Sequence, residues 1–224
     1  MIKEYVIIVA GGKGSRMSNE LPKQFLILNN SPVLFHSIKA FHNYSSSLEI
    51  IIAMHPEYID VWKGLCAKYD LNIPHKITHG GETRFHSVQN ALSSIECKNG
   101  YVAIHDAARP MIDKYFIKDC FSAVKDKKAI IPYIDIYESL RKTGNNASKP
   151  IDRNKVKIIQ TPQCFELSII KKAYKQEYKK EFTDDATVYE SLEKKDVHLI
   201  KGLKNNIKIT VASDLNMAEY LLKE

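Results

Sequence analysis

The chain has 224 residues, of which 44% are hydrophobic and 26% charged, and its formal net charge is +7. A chain of this length buries a sizeable core, and one domain spanning 1–224 is the expectation. No apolar run is long enough for a membrane span, the first residues lack a signal-peptide pattern, and Cys66, Cys97, Cys120 and Cys164 form no CxxC pair; a membrane protein, a disulfide framework and a zinc site are set aside, and a cytoplasmic location is expected.

Apolar runs alternate with helix-like segments along the chain. The spacing predicts strands over 5–9, 49–54, 76–78, 100–105, 129–133, 197–201 and 208–211, and helices over 32–43, 59–69, 83–95, 114–125, 167–178, 183–194 and 213–222. The β-α-β-α rhythm implies an α/β fold with a mostly parallel, twisted sheet covered by helices on both faces. Ligands then sit outside the carboxyl ends of the strands. The rhythm breaks over 135–160. Residues 136–143 alternate in a strand-like way, 144–148 form a turn cluster, and 156–160 are read as the returning strand of a protruding β-hairpin arm. Such an arm is a surface flap or a dimerisation element.

The first strand runs into Ala10-Gly11-Gly12-Lys13-Gly14-Ser15-Arg16-Met17, followed by Pro22-Lys23-Gln24. Three glycines in four positions let backbone N–H groups approach an anion closely. Arg16 and Lys23 add positive charge beside them, so a polyphosphate is the natural occupant. The dinucleotide fingerprint fails at Met17, and the P-loop pattern fails after Gly14. The bland alternative is a strand-to-helix turn with two solvated cations.

His105-Asp106-Ala107-Ala108-Arg109-Pro110 follows a strand directly, which puts Asp106 at the carboxyl edge of the sheet. A carboxylate there suits Mg²⁺ bound together with substrate phosphates, and Arg109 suits a second anion; Asp106 capping a helix with Arg109 as its ion-pair partner is the alternative. Gly80-Gly81 with Ser87 either reads the edge of a base or forms a plain turn before a helix. Asp184 and Asp185 either add acids to a site or serve a helix dipole. Lys208, in an otherwise apolar stretch, is a site cation or an edge guard. Five cations (Arg16, Lys23, Arg109, Arg153, Lys208) and one Mg²⁺ ligand without a nucleophile–base pair point to phosphoryl or nucleotidyl transfer between two anionic substrates.

The net positive charge reads as steering of polyanionic substrates or as nucleic-acid binding. Acids interrupt the lysine clusters at 125–128 and 171–180, which favours solvated helix faces and no nucleic-acid partner.

Taken in order, these motifs, together with Arg84 and Val88, Thr161-Pro162-Gln163, Thr183-Asp184-Asp185-Ala186 and 206–210, resemble the 2-C-methyl-D-erythritol 4-phosphate cytidylyltransferase family. The resemblance implies a Rossmann-like nucleotidyltransferase fold and a homodimer joined through the arm at 135–160. It implies transfer of a cytidylyl group from CTP to methylerythritol 4-phosphate, with release of pyrophosphate, in non-mevalonate isoprenoid synthesis. By position, it implies catalytic roles for Arg16, Lys23, Arg153 and Lys208. CTP would be held by Ala10, Gly11, Gly12, Gly14, Gly80, Gly81, Ser87 and Ala107. The sugar-alcohol phosphate would meet Asp106, Arg109, Ser139, Arg153, Thr161 and Thr183, with Arg153 coming from the partner's arm and Asp106 serving Mg²⁺. Where the family often has Asp-Thr at the start of the arm, this chain has Glu138-Ser139. A ribitol 5-phosphate cytidylyltransferase shares the glycine loop and the Mg²⁺ residue, but its branch more often has valine where this chain has Ala108. A non-catalytic nucleotide- or nucleic-acid-binding module is the reading from a different class.

Overall fold

The computed structural model describes residues 2–12, 21–144, 147–194 and 196–223. From the N-terminus come β1 (Glu4–Ala10), a 3-10 turn (Lys23–Phe25), the short pair β2 (Ile27–Leu28) and β3 (Ser31–Pro32), α1 (Val33–Tyr44), β4 (Glu49–Met54), α2 (Ile59–Lys68), β5 (Lys76–His79), α3 (Arg84–Ser93) and β6 (Tyr101–Asp106). There follow α4 (Lys114–Lys127), β7 (Ala129–Asp135), β8 (Leu140–Gly144), β9 (Ala147–Ile151), β10 (Lys157–Ile159), β11 (Gln163–Glu166), α5 (Leu167–Ala173), α6 (Asp185–Glu193), β12 (His198–Lys201) and α7 (Ala212–Leu221).

β1 is the middle strand, parallel to β6 on one side and to β4 on the other, with β5 parallel to β4 beyond. Its residues are apolar at nearly every position because both faces are buried. Val6, Ile8 and Ala10 join the core under α1, α2 and α4, whereas Tyr5 and Ile7 join the core under α3, α5 and α6. The period-2 alternation of side chains thus feeds two hydrophobic layers from one strand. The register sets Ala10 opposite Met54 and Val9 opposite Asp106, so the loops leaving β1, β4 and β6 emerge together at one edge.

The other half of the sheet is built differently. β7 meets β6 only through β11, which runs antiparallel to both. β10 also runs antiparallel to β7. The carbonyls of Pro132 and Lys128 accept from the N–H groups of Gln160 and Glu166, whereas the Tyr133 carbonyl accepts from Gly202. Alternate carbonyls point to opposite edges, so β10 and β11 are two halves of one antiparallel strand, and β12 lies parallel on the far edge of β7.

A hairpin does leave the sheet, but its second strand is β9, not 156–160. Residues 156–160 instead return to the main sheet, where β10 finds the ladder of β7. Pro150, which has no N–H to offer, sits in the exposed two-stranded arm. The predicted strand at 208–211 also does not form: Thr210 and Val211 direct their N–H groups to the Asp214 carboxylate at the start of α7. Ile209 alone donates a backbone bond there, to the Ala108 carbonyl at 2.8 Å. The helix predicted to run to Tyr178 ends at Ala173.

Candidate active site

The edge where β1, β4 and β6 end opens into a cleft of about 700 Å³. Two glycine turns, Gly11-Gly12 and Gly80-Gly81, shape it. Gln24, buried on the 3-10 turn, donates to the carbonyls of Ala10 (2.9 Å) and Gly12 (3.3 Å) and so holds the first glycine loop in place. Among the described residues a Cβ on Gly12 would meet nothing within 4 Å, whereas one on Gly11 would approach Ser87 Oγ to 3.0 Å. Beside that loop the Gly80 N–H donates to the Met54 carbonyl at 2.6 Å, which fastens the second glycine turn to the end of β4. The Ser87 hydroxyl accepts from the Gly81 N–H and donates to the Thr83 carbonyl, both at 3.0 Å. Thr83 in turn caps α3, its hydroxyl oxygen accepting from the His86 N–H.

Asp106 forms the floor and is only 8% exposed. One carboxylate oxygen accepts from Arg84 Nε at 3.2 Å and the other from Lys208 Nζ at 2.7 Å. Burial by itself would raise the carboxyl's pKa; the Arg84 guanidinium and Lys208 ammonium outweigh it and hold Asp106 well below the usual carboxylate range. Arg84 is held from behind. Its two terminal nitrogens donate to the two oxygens of Asp185 at 2.9 and 2.7 Å, and the Tyr174 hydroxyl donates to Asp185 Oδ1 at 2.6 Å. Asp185 is fully buried.

Beneath the cleft the hydrogen bonds have a fixed direction. The Nε2 of His105 faces the Arg109 carbonyl at 3.0 Å, which can only accept, so Nε2 carries the proton. Nδ1 then accepts from the Thr161 hydroxyl at 3.0 Å, and the Thr161 oxygen accepts from the Asp106 N–H at 3.0 Å. Burial pushes the His105 imidazole down to about 4, so it is neutral at pH 7. Arg109 is buried too, donating to the carbonyls of Asn206 (2.8 Å) and Ile159 (3.4 Å).

Of the residues singled out in the sequence, Ala10, Gly11, Gly12, Lys23, Gly80, Gly81, Ser87, Asp106, Ala107 and Lys208 line one cleft. Arg109 and Thr161 lie in the layer beneath it. Ser139 and Thr183 are exposed outside the lining, as is Arg153, which donates to the Tyr137 carbonyl at the base of the arm. Gly14 and Arg16 fall outside the described residues. Two features were not singled out: the Gln24 clamp on the first loop and the Asp185–Arg84 pair. The sequence offers Asp185 as a site acid or as a group serving a helix dipole, and a pairing across 101 positions leaves no local trace in a sequence.

This chain matches the family model described as 2-C-methyl-D-erythritol 4-phosphate cytidylyltransferase over residues 5–224. The chain belongs to this family. A relative of that name from Bacteroides thetaiotaomicron is 43% identical over 221 residues, covering 99% of this chain and all of the relative. The crystal structure of the cytidylyltransferase of the same name from Francisella tularensis superposes with a TM-score of 0.79 at 30% identity, covering 97% of this chain and 99% of that one. The fold is also that of the 4-diphosphocytidyl-2C-methyl-D-erythritol synthase from Anaerococcus prevotii, with a TM-score of 0.83 over 100% of this chain and 99% of that one at 24% identity. The mostly parallel sheet with helices on both faces is therefore a cytidylyltransferase scaffold, and the cleft lies at its strand ends.

Proposed function

We propose that this cleft transfers the cytidylyl group of CTP to 2-C-methyl-D-erythritol 4-phosphate, forming 4-diphosphocytidyl-2-C-methyl-D-erythritol and pyrophosphate in isoprenoid precursor synthesis. The observation that carries the assignment of roles is the cleft itself. Two neighbouring glycine turns line it, and a carboxylate held between two cations forms its floor. Bare backbone at Gly11 and Gly12 suits the triphosphate, and the turn at Gly80 and Gly81 suits the edge of cytosine. With its hydroxyl bonded to Gly81 and Thr83, Ser87 contributes by setting the shape of that turn.

An oxygen of the acceptor phosphate attacks the α-phosphorus in line. The new P–O bond forms as the bond to the β-phosphate oxygen breaks, and the electron pair leaves with pyrophosphate. The acceptor is already ionised at neutral pH, so no general base is needed. Lys23 and Lys208 neutralise charge that builds on the phosphates, and Arg16 is assigned the same role from its place in the motif. Mg²⁺ fits the donor set: Mg²⁺ is commonly held by one or two carboxylates together with substrate phosphates, and Asp106 is an ionised carboxylate on the cleft floor whose oxygens each retain a lone pair. When bound, it would add positive charge across the phosphates.

The arm supports a homodimer. A two-stranded hairpin exposed along most of its length is marginal by itself and gains stability from cover. Ser139 and Arg153 flank it and lie outside their own chain's cleft, which fits delivery of these side chains to the acceptor side of a partner's cleft.

The test is pyrophosphate release with CTP and Mg²⁺, comparing methylerythritol 4-phosphate, ribitol 5-phosphate and no acceptor. Release with the first alone is expected. Release with ribitol 5-phosphate alone would reassign the acceptor.

A further inference from the structure

The two ends of the Arg84 side chain face different parts of the protein. Nε points to Asp106 on the cleft floor, and the two terminal nitrogens grip Asp185 in a parallel fork. Asp185 is the first residue of α6 and fully buried, while Arg84 is the first residue of α3 and part-buried. Taking a carboxylate out of water is costly unless it is paired and its remaining lone pairs are filled. Here the fork fills both oxygens, and Tyr174 adds a third bond. A planar guanidinium held at both terminal nitrogens has little freedom to rotate, so the direction of its Nε–H is set by the carboxylate behind it.

We propose that Asp185 is a positioning residue: acting only through Arg84, it orients the Asp106 carboxylate on the cleft floor. The kinetic consequence rests on the function proposed above; the positional consequence does not. Asparagine at 185 offers one acceptor and turns an N–H₂ group toward the second guanidinium nitrogen. The parallel fork cannot survive, and Nε loses its aim. Neighbouring supports confine the effect to this path. The Asp106 backbone is held separately by Thr161, and its second oxygen by Lys208.

Two readouts test this. The first is the crystal structure of Asp185→Asn, with Val188→Ala as a control on the same helix that disturbs packing alone. Arg84 Nε is expected to leave hydrogen-bond range of Asp106 in Asp185→Asn and to keep it in Val188→Ala. An unmoved Asp106 carboxylate in Asp185→Asn overturns the proposal whether or not the wild type turns over. The second is kcat/KM per folded enzyme in both backgrounds. Asp185→Asn should lower it at least tenfold in the wild type and less than twofold in Arg84→Gln. Equal losses in the two backgrounds, or losses that merely track melting temperature as Val188→Ala does, would refute action through Arg84. Failure of the wild type to make any product would instead count against the function, leaving the crystallographic result to decide the positioning.

Discussion

Ser87 Oγ lies 3.0 Å from the point where a Cβ on Gly11 would stand, and it is the same atom that accepts from the Gly81 N–H. One hydroxyl therefore sets the spacing between the two glycine turns. Gly11→Ala should displace that hydroxyl by a few tenths of an ångström and weaken CTP binding by about tenfold, on the scale of one lost hydrogen bond. Adding Ser87→Ala removes the clash, so the double variant should not be weaker than Ser87→Ala alone. Calorimetric titration with CTP checks both statements.

Gly12 and Gly81 should respond in opposite ways to alanine. At Gly12 the new methyl group meets none of the described residues, so the melting temperature should hold while CTP affinity falls because the group intrudes on the loop. At Gly81 the new Cβ would lie 2.4 Å from His86 Cβ, inside the first turn of α3. Gly81→Ala should destabilise the fold by a few kcal/mol, the range for forced overpacking. Thermal unfolding of the two variants side by side separates them.

Lys23→Ala should reduce kcat by about 10²–10³, the range found when one donor to a developing charge is removed. Lys23 lines the cleft and its charge also acts on Asp214, so kcat is compared per folded enzyme. An unchanged kcat measured by pyrophosphate release would rule out that role.

His105 should make the protein acid-sensitive. Its folded pKa of about 4 lies below the ordinary value of 6.5, so the unfolded chain binds the extra proton first. Stability from this residue is complete above about pH 6.5 and is lost as the pH falls toward 4, by roughly 3 kcal/mol in total. Denaturant titrations from pH 7 to 4 should show the slope, and His105→Asn should flatten it.

If the partner's arm completes the site, two inactive homodimers should complement each other. Arg153→Ala and Lys23→Ala protomers, mixed and re-equilibrated, form dimers in which one cleft has both side chains. Random pairing then restores about a quarter of wild-type activity. No recovery on mixing would place Arg153 and Lys23 in the same chain's site.

The alternating scaffold was legible because β1, β4 and β6 are short apolar runs buried on both faces, between helices with clear periodicity. The cleft was legible where chemistry sits at strand ends, as with Gly11, Gly80 and Asp106. Residues 156–160 were misjudged because an apolar strand looks the same whether it closes a hairpin or joins β7. Lys208 was expected in a strand because the demand of the Asp214 carboxylate for the Thr210 and Val211 N–H groups leaves no periodicity. Arg109 and Thr161 were expected at the substrate; their burial beneath Asp106 depends on contacts to Asn206 and His105 far along the chain.

The antiparallel strand formed by β10 and β11 also governs the order of assembly. By residue 106 a chain leaving the ribosome already contains β1, β4, β5 and β6, a complete parallel half-sheet. β7 is made next, yet its partners begin only at Lys157 and end with β12 at Lys201. Until Gln163–Glu166 is made, its apolar Ala129 and Ile130 have no strand to join, and Ile131 waits for β12. Translation speed between codons 135 and 166 thus sets how long the nascent protein carries an open sheet edge, the kind of surface on which aggregation and chaperone capture begin.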